Sequence, residues 1–322
     1  MNVFRTQLSN KDIEKINVVL QEGTLGFGSN VMKFEDSFCS FSNKKYNIAT
    51  NSASAAAFMI FAYLKEMYGT CDVYTTSLGF TSPAWAAKHF QHNLYFVDVD
   101  DNLMFSSLHY KETRRESKNP VVVMPVLYGG VSTIESFELC GDEIVVVDSA
   151  HCVTPTISCD YSFFSFHPYK PICTSDGGAI ATDNEEASNY FKKYRNFGRL
   201  SAKNTYNIIQ EGFKFYMNNL NATIGLTQLP QYQENLQIRK ENYNKLAERY
   251  DLLSHDINSS YYFATAITDE ANALLEENNL SRHYPMLHQT EYYQSDQSLP
   301  NLEKIHSKIL NLPLYCEFPI TQ

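Results

Sequence analysis

Positive charge is scarce in this sequence. The 322 residues include 26 lysines and arginines against 36 aspartates and glutamates, so the formal net charge is −10. Proteins that bind nucleic acid broadly usually carry a basic patch or stripe, and this balance therefore argues against that class. A small anionic ligand held at a local site remains compatible with it.

Long apolar runs are also missing. No run reaches the roughly 18 residues that a transmembrane helix needs. The opening residues, MNVFRTQLSNKDIEK, contain no apolar signal-peptide region. The sequence therefore predicts neither a membrane span nor a secretory leader.

Paired cysteine motifs and several common catalytic motifs are absent. The seven cysteines are scattered without a CxxC pair, which predicts no structural metal site. An odd number of cysteines without a secretory signal is typical of reduced thiols, and the expected location is cytoplasmic. No P-loop, GxGxxG fingerprint before a helix, HExxH or GxSxG is present.

Short apolar runs alternate with helical patterns in the first two thirds of the chain. The predicted strands are 72–77, 94–99, 121–128, 143–150, 161–166 and 178–182. This alternation predicts an α/β fold with a mostly parallel sheet, in which ligands bind beyond the carboxyl ends of the strands.

Helical patterns surround these runs. Residues 10–23 predict a first helix capped by Asn10 and ended by Gly23. An amphipathic pattern over 229–250 predicts a long helix that leads to a smaller C-terminal part. We divide the chain into a large domain, 1–235, and a small α+β domain, 236–322.

Asp148 and His151 follow the apolar strand IVVV, in the segment DSAH. A carboxylate at the carboxyl end of a buried strand stands where sites form. An ordinary turn or helix-capping role is equally compatible with the aspartate. The histidine, taken alone, is better explained as a packed polar residue.

Lys170 ends the stretch FSFHPYK, five residues after Ser165. A lysine in a low-dielectric pocket has a lowered pKa and becomes a nucleophile. Taken alone, it is better explained as an exposed turn lysine. The following Gly177 and Gly178 favour the functional interpretation, because glycines allow close backbone approach near the lysine.

Small hydroxyl residues open an apolar helix in NSASAAAF, 51–58. The free N–H groups of such a helix terminus bind phosphate well, although a plain serine cap is common. A phosphate cradle, a strand-end aspartate and a strand-end lysine together meet the requirements of pyridoxal 5′-phosphate (PLP).

The chain resembles the DegT/DnrJ/EryC1/StrS sugar aminotransferases, a branch of the PLP enzymes of fold type I. FSFHPYK matches the family pattern F-S-F-x-x-x-K, and VVVDSAH matches [VI]-x-E-D-[AS]-A-[QH]. SDGGAIAT matches G-E-G-G-x-[VI]-x-T, and NSASAAA resembles the phosphate helix. The resemblance covers nearly the whole chain in order, and it implies a large domain with a mostly parallel sheet between helices.

The resemblance also implies residue roles. Lys170 is the Schiff-base lysine and the general acid and base. Asp148 pairs with the pyridinium nitrogen, and His151 hydrogen-bonds the ring's O3′. Phe80 stacks on the ring.

The remaining implied roles concern the phosphate and a second subunit. Ser54, the backbone of Ala55, and Ser165 hold the phosphate. Lys214 reaches into the active site of a neighbouring subunit, which implies a homodimer with shared sites. A solvated helix lysine is the alternative for Lys214.

The implied activity is transfer of an amino group, with glutamate as donor, to a nucleotide-linked keto-deoxy sugar in amino-sugar biosynthesis. The product would enter a surface polysaccharide or a glycosylated metabolite. A PLP-dependent sugar dehydratase is one alternative, although family members with that activity carry histidine where Lys170 stands. A homologue that binds PLP or a nucleotide sugar without turnover is another, since the family's hairpin after the histidine is missing before Tyr161.

Overall fold

A computed structural model describes residues 8–135, 137–199 and 207–315. Seven strands form the central sheet in the order β1-β7-β6-β5-β4-β2-β3. They are β1 (Tyr46–Thr50), β2 (Asp72–Thr76), β3 (Asn93–Val97), β4 (Val121–Met124), β5 (Ile144–Asp148), β6 (Tyr161–Ser165) and β7 (Gly178–Thr182). Only β7 runs antiparallel to its neighbours, so the predicted α/β fold with a mostly parallel sheet is confirmed.

Ten α-helices surround this sheet and a second, two-stranded one within the described residues. They are α1 (Asn10–Glu22), α2 (Ser29–Ser42), α3 (Ala53–Tyr68), α4 (Thr81–His89), α5 (Ser107–Thr113), α6 (Glu185–Tyr194), α7 (Asn219–Gln228), α8 (Tyr232–Ala247), α9 (Ala271–Glu277) and α10 (Pro300–Ile305). The second sheet pairs β8 (Phe263–Ile267) with β9 (Ile309–Pro313) in antiparallel fashion. None of these helices is long and apolar enough to cross a bilayer.

The strands consist of unbroken runs of apolar residues because both faces of the sheet are covered. Side chains alternate along a strand, so Val123 and Val147 face one cluster while Val122 and Val146 face the other. Helix α3 covers the second face, and the small sheet packs on the first through residues such as Phe263.

Several element boundaries differ from the sequence predictions. Ser9, not Asn10, caps α1: its hydroxyl accepts a hydrogen bond from Asp12 N, and its own backbone N–H donates one to the Asp12 carboxylate. Gly23 ends the helix with φ +72°, as expected. The run 121–128 stops being a strand at Met124, because Pro125 follows it and lacks the N–H that a sheet requires.

Strand β1 was not predicted, and the long helix of 229–250 is shorter than expected. The segment begins with a 3₁₀ turn at Leu229–Gln231 and continues as α8. The proposed domain boundary at 235/236 falls inside α8 and remains a prediction. The last residues of the proposed small domain, 316–322, lie outside the described residues. The six described cysteines are free thiols, and Cys316 also lies outside those residues.

Gly178, the first residue of β7, allows the start of α3 to lie directly against the sheet. A Cβ built at this position would stand 2.5 Å from Ala53 N and 2.6 Å from Ser52 O. Both neighbours are backbone atoms, so they cannot rotate away as a side chain does. The position of the α3 amino terminus therefore depends on the missing side chain.

We predict that Gly178→Ala lowers the free energy of unfolding by about 1–3 kcal/mol, the usual cost of overpacking a close-packed site. Gly26→Ala is the control, since a Cβ there meets no atom within 4 Å. Urea unfolding of both variants measures the difference. Equal stabilities would show that α3 does not depend on this close approach.

Candidate active site

A cavity of about 340 Å³ opens at the carboxyl edge of the central sheet. Its walls come from the ends of β5 and β6, the starts of α3 and α4, and residues that precede β8 and β9 in the chain. The lining residues are Ser52, Ala53, Ser54, Phe80, Ser82, Pro83, Val126, Asp148, Ala150, His151, Phe163, Ser165, His167, Tyr169, Lys170, Asp176, Gly177, Tyr262, His283 and Tyr284. The volume lies within the usual range for small-ligand sites.

Asp148 is the last residue of β5 and lies at the floor of this cavity. Its side chain is only 4% exposed, and Oδ1 accepts a hydrogen bond from Ala150 N at 2.9 Å. Burial raises the pKa of this carboxyl group to about 6, although the Ala150 N–H and the nearby Lys170 charge favour the ionised form. The group therefore holds or releases a proton close to neutrality.

Lys170 stands at the end of a turn in which its N–H bonds to His167 O at 2.9 Å. The residue keeps some accessible surface, but its amine is enclosed by protein, with Nζ 4.4 Å from the centre of the Tyr262 ring. Loss of hydration lowers the pKa of the amine to about 7, and the Asp148 carboxylate opposes that change. A substantial share of neutral, nucleophilic amine follows at neutral pH.

His151 lies three residues beyond Asp148 and is 4% exposed. Its Nε2 is 2.9 Å from Tyr284 Oη, while its buried Nδ1 has no hydrogen-bond partner. Burial lowers the pKa of the imidazole well below its usual value, and the charges of Lys170 and His283 lower it further. The ring is therefore neutral at physiological pH.

The start of α3 supplies the predicted phosphate region. Ser52 caps the helix, and its hydroxyl accepts a hydrogen bond from Ala55 N at 3.1 Å. Ser54 Oγ donates to Ser82 Oγ at 2.9 Å, and Ser165 lines the same cavity from the end of β6. Ser54 and Ser165 are thus brought together, while the Ala55 N–H is engaged by the Ser52 cap.

Phe80 and Lys214 occupy different places. Phe80 lines the cavity just before α4, remains 57% exposed, and meets the Tyr284 ring edge to face at 5.9 Å. Lys214 is exposed and does not line the cavity of its own chain; its carbonyl accepts from Asn51 Nδ2 at 3.3 Å. Its predicted role in a neighbouring subunit stays a prediction.

No sequence pattern predicted the cavity wall formed by residues beyond position 260. Tyr262 is 3% exposed and lies between Lys170 and His151, with its ring centre 4.4 Å from that of the imidazole. His283 and Tyr284 complete this wall. These two residues belong to the segment RHYPMLH, 282–288, in which no pattern indicates contact with residue 151.

The residues present fit PLP. A cavity-facing lysine with a lowered pKa, a buried carboxyl group and serine hydroxyls at a helix amino terminus surround one space. The buried Nδ1 of His151 has no partner in the described protein and is available to a ligand atom. No cluster of metal-ligating residues occurs in the described ranges.

Known structures and proteins resemble this chain over almost its whole length. Helicobacter pylori PseC, an aminotransferase involved in the biosynthesis of pseudoaminic acid, superimposes with a TM-score of 0.89 at 21% identity, covering 99% of this chain and 95% of that one. Spr1654 from Streptococcus pneumoniae, in its PLP form, gives 0.87 at 20% identity, covering 99% and 95%. These similarities establish the fold.

Sequence relatives agree. The chain is 26% identical over 308 residues to the UDP-4-amino-4,6-dideoxy-N-acetyl-β-L-altrosamine transaminase of Campylobacter jejuni, covering 91% of this chain and 77% of that protein. It is 27% identical over 358 aligned positions to the spore coat polysaccharide biosynthesis protein SpsC of Bacillus subtilis, covering 96% and 90%.

The family model described as the DegT/DnrJ/EryC1/StrS aminotransferase family matches residues 6–320. The predicted family and enzyme class are therefore confirmed, and so is the predicted cofactor, because the aminotransferases of this family are PLP-dependent. The chain belongs to the DegT/DnrJ/EryC1/StrS aminotransferase family.

Proposed function

We propose that this chain transfers an amino group from glutamate to a nucleotide-linked keto-deoxy sugar during amino-sugar biosynthesis. The observation that carries the proposal is Lys170, an enclosed lysine with a pKa near 7 in the same cavity as Asp148 and His151. The names of two relatives support the substrate class, since one is a UDP-sugar transaminase and the other a polysaccharide biosynthesis protein. The six described cysteines are free thiols, which supports the cytosol as the proposed location.

When bound, PLP supplies the electron-withdrawing ring that makes the substrate's carbon–hydrogen bond acidic. The chain's own groups then divide the work. Lys170 Nζ would hold the cofactor, and an amine with a pKa near 7 would be well matched to taking and returning the substrate proton. The Asp148 carboxyl group, buried in the same cavity, would keep a proton on the ring nitrogen.

The remaining proposed roles are binding roles. Ser54 and Ser165 would hold the phosphate at the α3 amino terminus, where the helix dipole favours an anion. The Ala55 N–H would join them once the phosphate replaces the Ser52 hydroxyl as its acceptor. Phe80 offers its exposed ring for stacking, and His151 Nδ1 meets the ring oxygen O3′. Lys214, exposed and close to the loop before α3, binds in the site of a second subunit of a homodimer.

We predict that Lys170→Ala abolishes turnover and prevents covalent retention of PLP after borohydride reduction. Mass spectrometry of the intact chain and release of 2-oxoglutarate from glutamate measure the two effects. The exposed Lys118→Ala is the matched control and should retain both. Normal transamination by Lys170→Ala would overturn the proposal.

The amino acceptor is identified by the same assay. Glutamate is mixed with dTDP-, UDP- and GDP-linked 3-keto and 4-keto sugars, and sustained 2-oxoglutarate release marks the substrate. A sugar dehydratase would consume the sugar nucleotide without this release, and a homologue that only binds would consume neither compound.

The lowered pKa of Lys170 gives a pH-dependent prediction. In the cofactor-free chain, acylation of Lys170 by a small anhydride should rise with pH and level off above a midpoint near pH 7, because only the neutral amine reacts. Ordinary lysines titrate near pH 10.4. Quantifying the Lys170 peptide at each pH, with the Lys118 peptide as internal control, measures the midpoint.

The same experiment tests the charge of Asp148. Its carboxylate stabilises the ammonium form of Lys170, so Asp148→Asn should move the midpoint to lower pH. A midpoint near pH 10 in the unaltered chain would show that the amine is not desolvated.

Shared sites give a complementation prediction. We expect Lys170→Ala and Lys214→Ala each to be inactive alone and their mixture to regain about a quarter of normal activity. After random subunit exchange about half of the dimers are heterodimers. In each heterodimer one of the two sites is intact, because it combines the unaltered Lys170 of one subunit with the unaltered Lys214 of the other. Activity after subunit exchange measures this, and no recovery would place Lys214 outside the neighbouring site.

A further inference from the structure

Tyr284 contacts two residues that are assigned to the cofactor. Its hydroxyl lies 2.9 Å from His151 Nε2, and its ring lies nearly parallel to the imidazole, 5.8 Å away at an interplanar angle of 28°. The same ring meets Phe80 edge to face. Tyr284 therefore links His151 and Phe80, and its own role is open.

The surroundings fix the orientation of the His151 ring. The Tyr262 ring lies 4.4 Å away and the Phe263 ring 5.5 Å away, so the imidazole is packed among aromatic rings. Its Nε2 can meet Tyr284 Oη, while Nδ1 is buried without a partner. The imidazole therefore presents Nε2 to Tyr284 and leaves Nδ1 available to a ligand in the cavity.

The protonation states of His151 and Tyr284 determine which of the two groups donates the hydrogen bond between them. Burial keeps the imidazole neutral and raises the pKa of the Tyr284 phenol, so each group carries one proton. A neutral imidazole has one N–H and one basic nitrogen. Because an imidazole nitrogen accepts hydrogen bonds more strongly than a phenol oxygen does, the favoured arrangement is O–H···Nε2.

We propose that Tyr284 is a positioning residue that donates its phenolic proton to His151 Nε2 and thereby fixes the imidazole proton on Nδ1. The buried, unpartnered nitrogen is then an N–H donor, suited to an acceptor oxygen of the ligand. The identity of that oxygen rests on the proposed function. The tautomer itself is a property of the chain alone.

Tyr284 is held in place by the C-terminal part of the chain. Its carbonyl accepts a hydrogen bond from His306 Nε2 at 2.8 Å, and the preceding His283 N donates to Asn311 Oδ1 at 2.9 Å. Asn311 belongs to β9 and also donates to Tyr128 Oη at 2.9 Å. The backbone at Tyr284 is thus anchored through β9 to Tyr128, whose ring centre lies 6.2 Å from that of His151.

The tautomer is measured by NMR of the cofactor-free chain with ¹⁵N-labelled histidine. Couplings between the ring nitrogens and the carbon-bound ring protons distinguish an Nδ1–H from an Nε2–H imidazole. Comparison with His151→Phe identifies the signals of residue 151. We expect Nδ1–H in the unaltered chain and a change to Nε2–H in Tyr284→Phe.

Tyr293→Phe is the matched control. It also removes a phenol hydroxyl near the cavity, but that hydroxyl contacts Thr81, 2.9 Å away, and not His151. Its His151 signals should match those of the unaltered chain. An Nε2–H imidazole in the unaltered chain overturns the proposal at once, whatever the activity of any variant, and leaves the proposed transamination standing.

A binding measurement tests the consequence for the cofactor. Tyr284→Phe should weaken PLP binding about 5-fold, within the range expected when one hydrogen bond is lost. The same substitution in a His151→Phe background should change the dissociation constant by less than 2-fold, because the imidazole through which it acts is gone. Equal effects in both backgrounds would mean that Tyr284 acts only through packing.

Discussion

Removal of water from the Lys170 amine is the constraint on which the site depends. An enclosed amine without full hydration is partly neutral, and therefore nucleophilic, at neutral pH. The negative charge of Asp148 stabilises the ammonium form and so limits how far the pKa of the amine falls. Desolvation raises the pKa of the carboxyl group and lowers that of the amine, so burial brings the two titrations closer together than they are in water. The charge of each group favours the charged form of the other.

The parallel sheet explains why residues far apart in sequence meet here. Asp148 and Ser165 end neighbouring strands, and β1 runs in the same direction, so the start of α3 reaches the same edge. The helix can lie against β7 because Gly178 has no side chain. The carboxyl ends of parallel strands meet at one edge of a sheet, and this rule brings Asp148, Ser165 and the start of α3 around one cavity.

The sequence predicted which of these residues meet because Asp148 and Ser165 end strands β5 and β6 and Ser54 lies in the first turn of α3. Their roles toward a cofactor stay predictions. Strand β1 was missed because YNIAT is short and has one strongly apolar residue, Ile48, and its strand character comes from pairing with β7. Ser9 displaced Asn10 as the cap through a reciprocal bond with Asp12, which propensity alone does not reveal. Tyr262 and Tyr284 were missed because their contacts with His151 cross more than a hundred residues.

Tyr262, His283 and Tyr284 form a wall of the cavity that comes from the C-terminal part of the chain. Tyr284 touches Phe80, which follows β2, and His151, which follows β5, so one side chain links two separate loops of the sheet edge. Its own loop is fixed by Asn311 of β9. A tilt of the small sheet would therefore change the hydrogen bond at His151 together with the packing on Phe80. If Tyr284 fixes the tautomer of His151 as proposed, the orientation of the small sheet and the protonation of this imidazole are coupled.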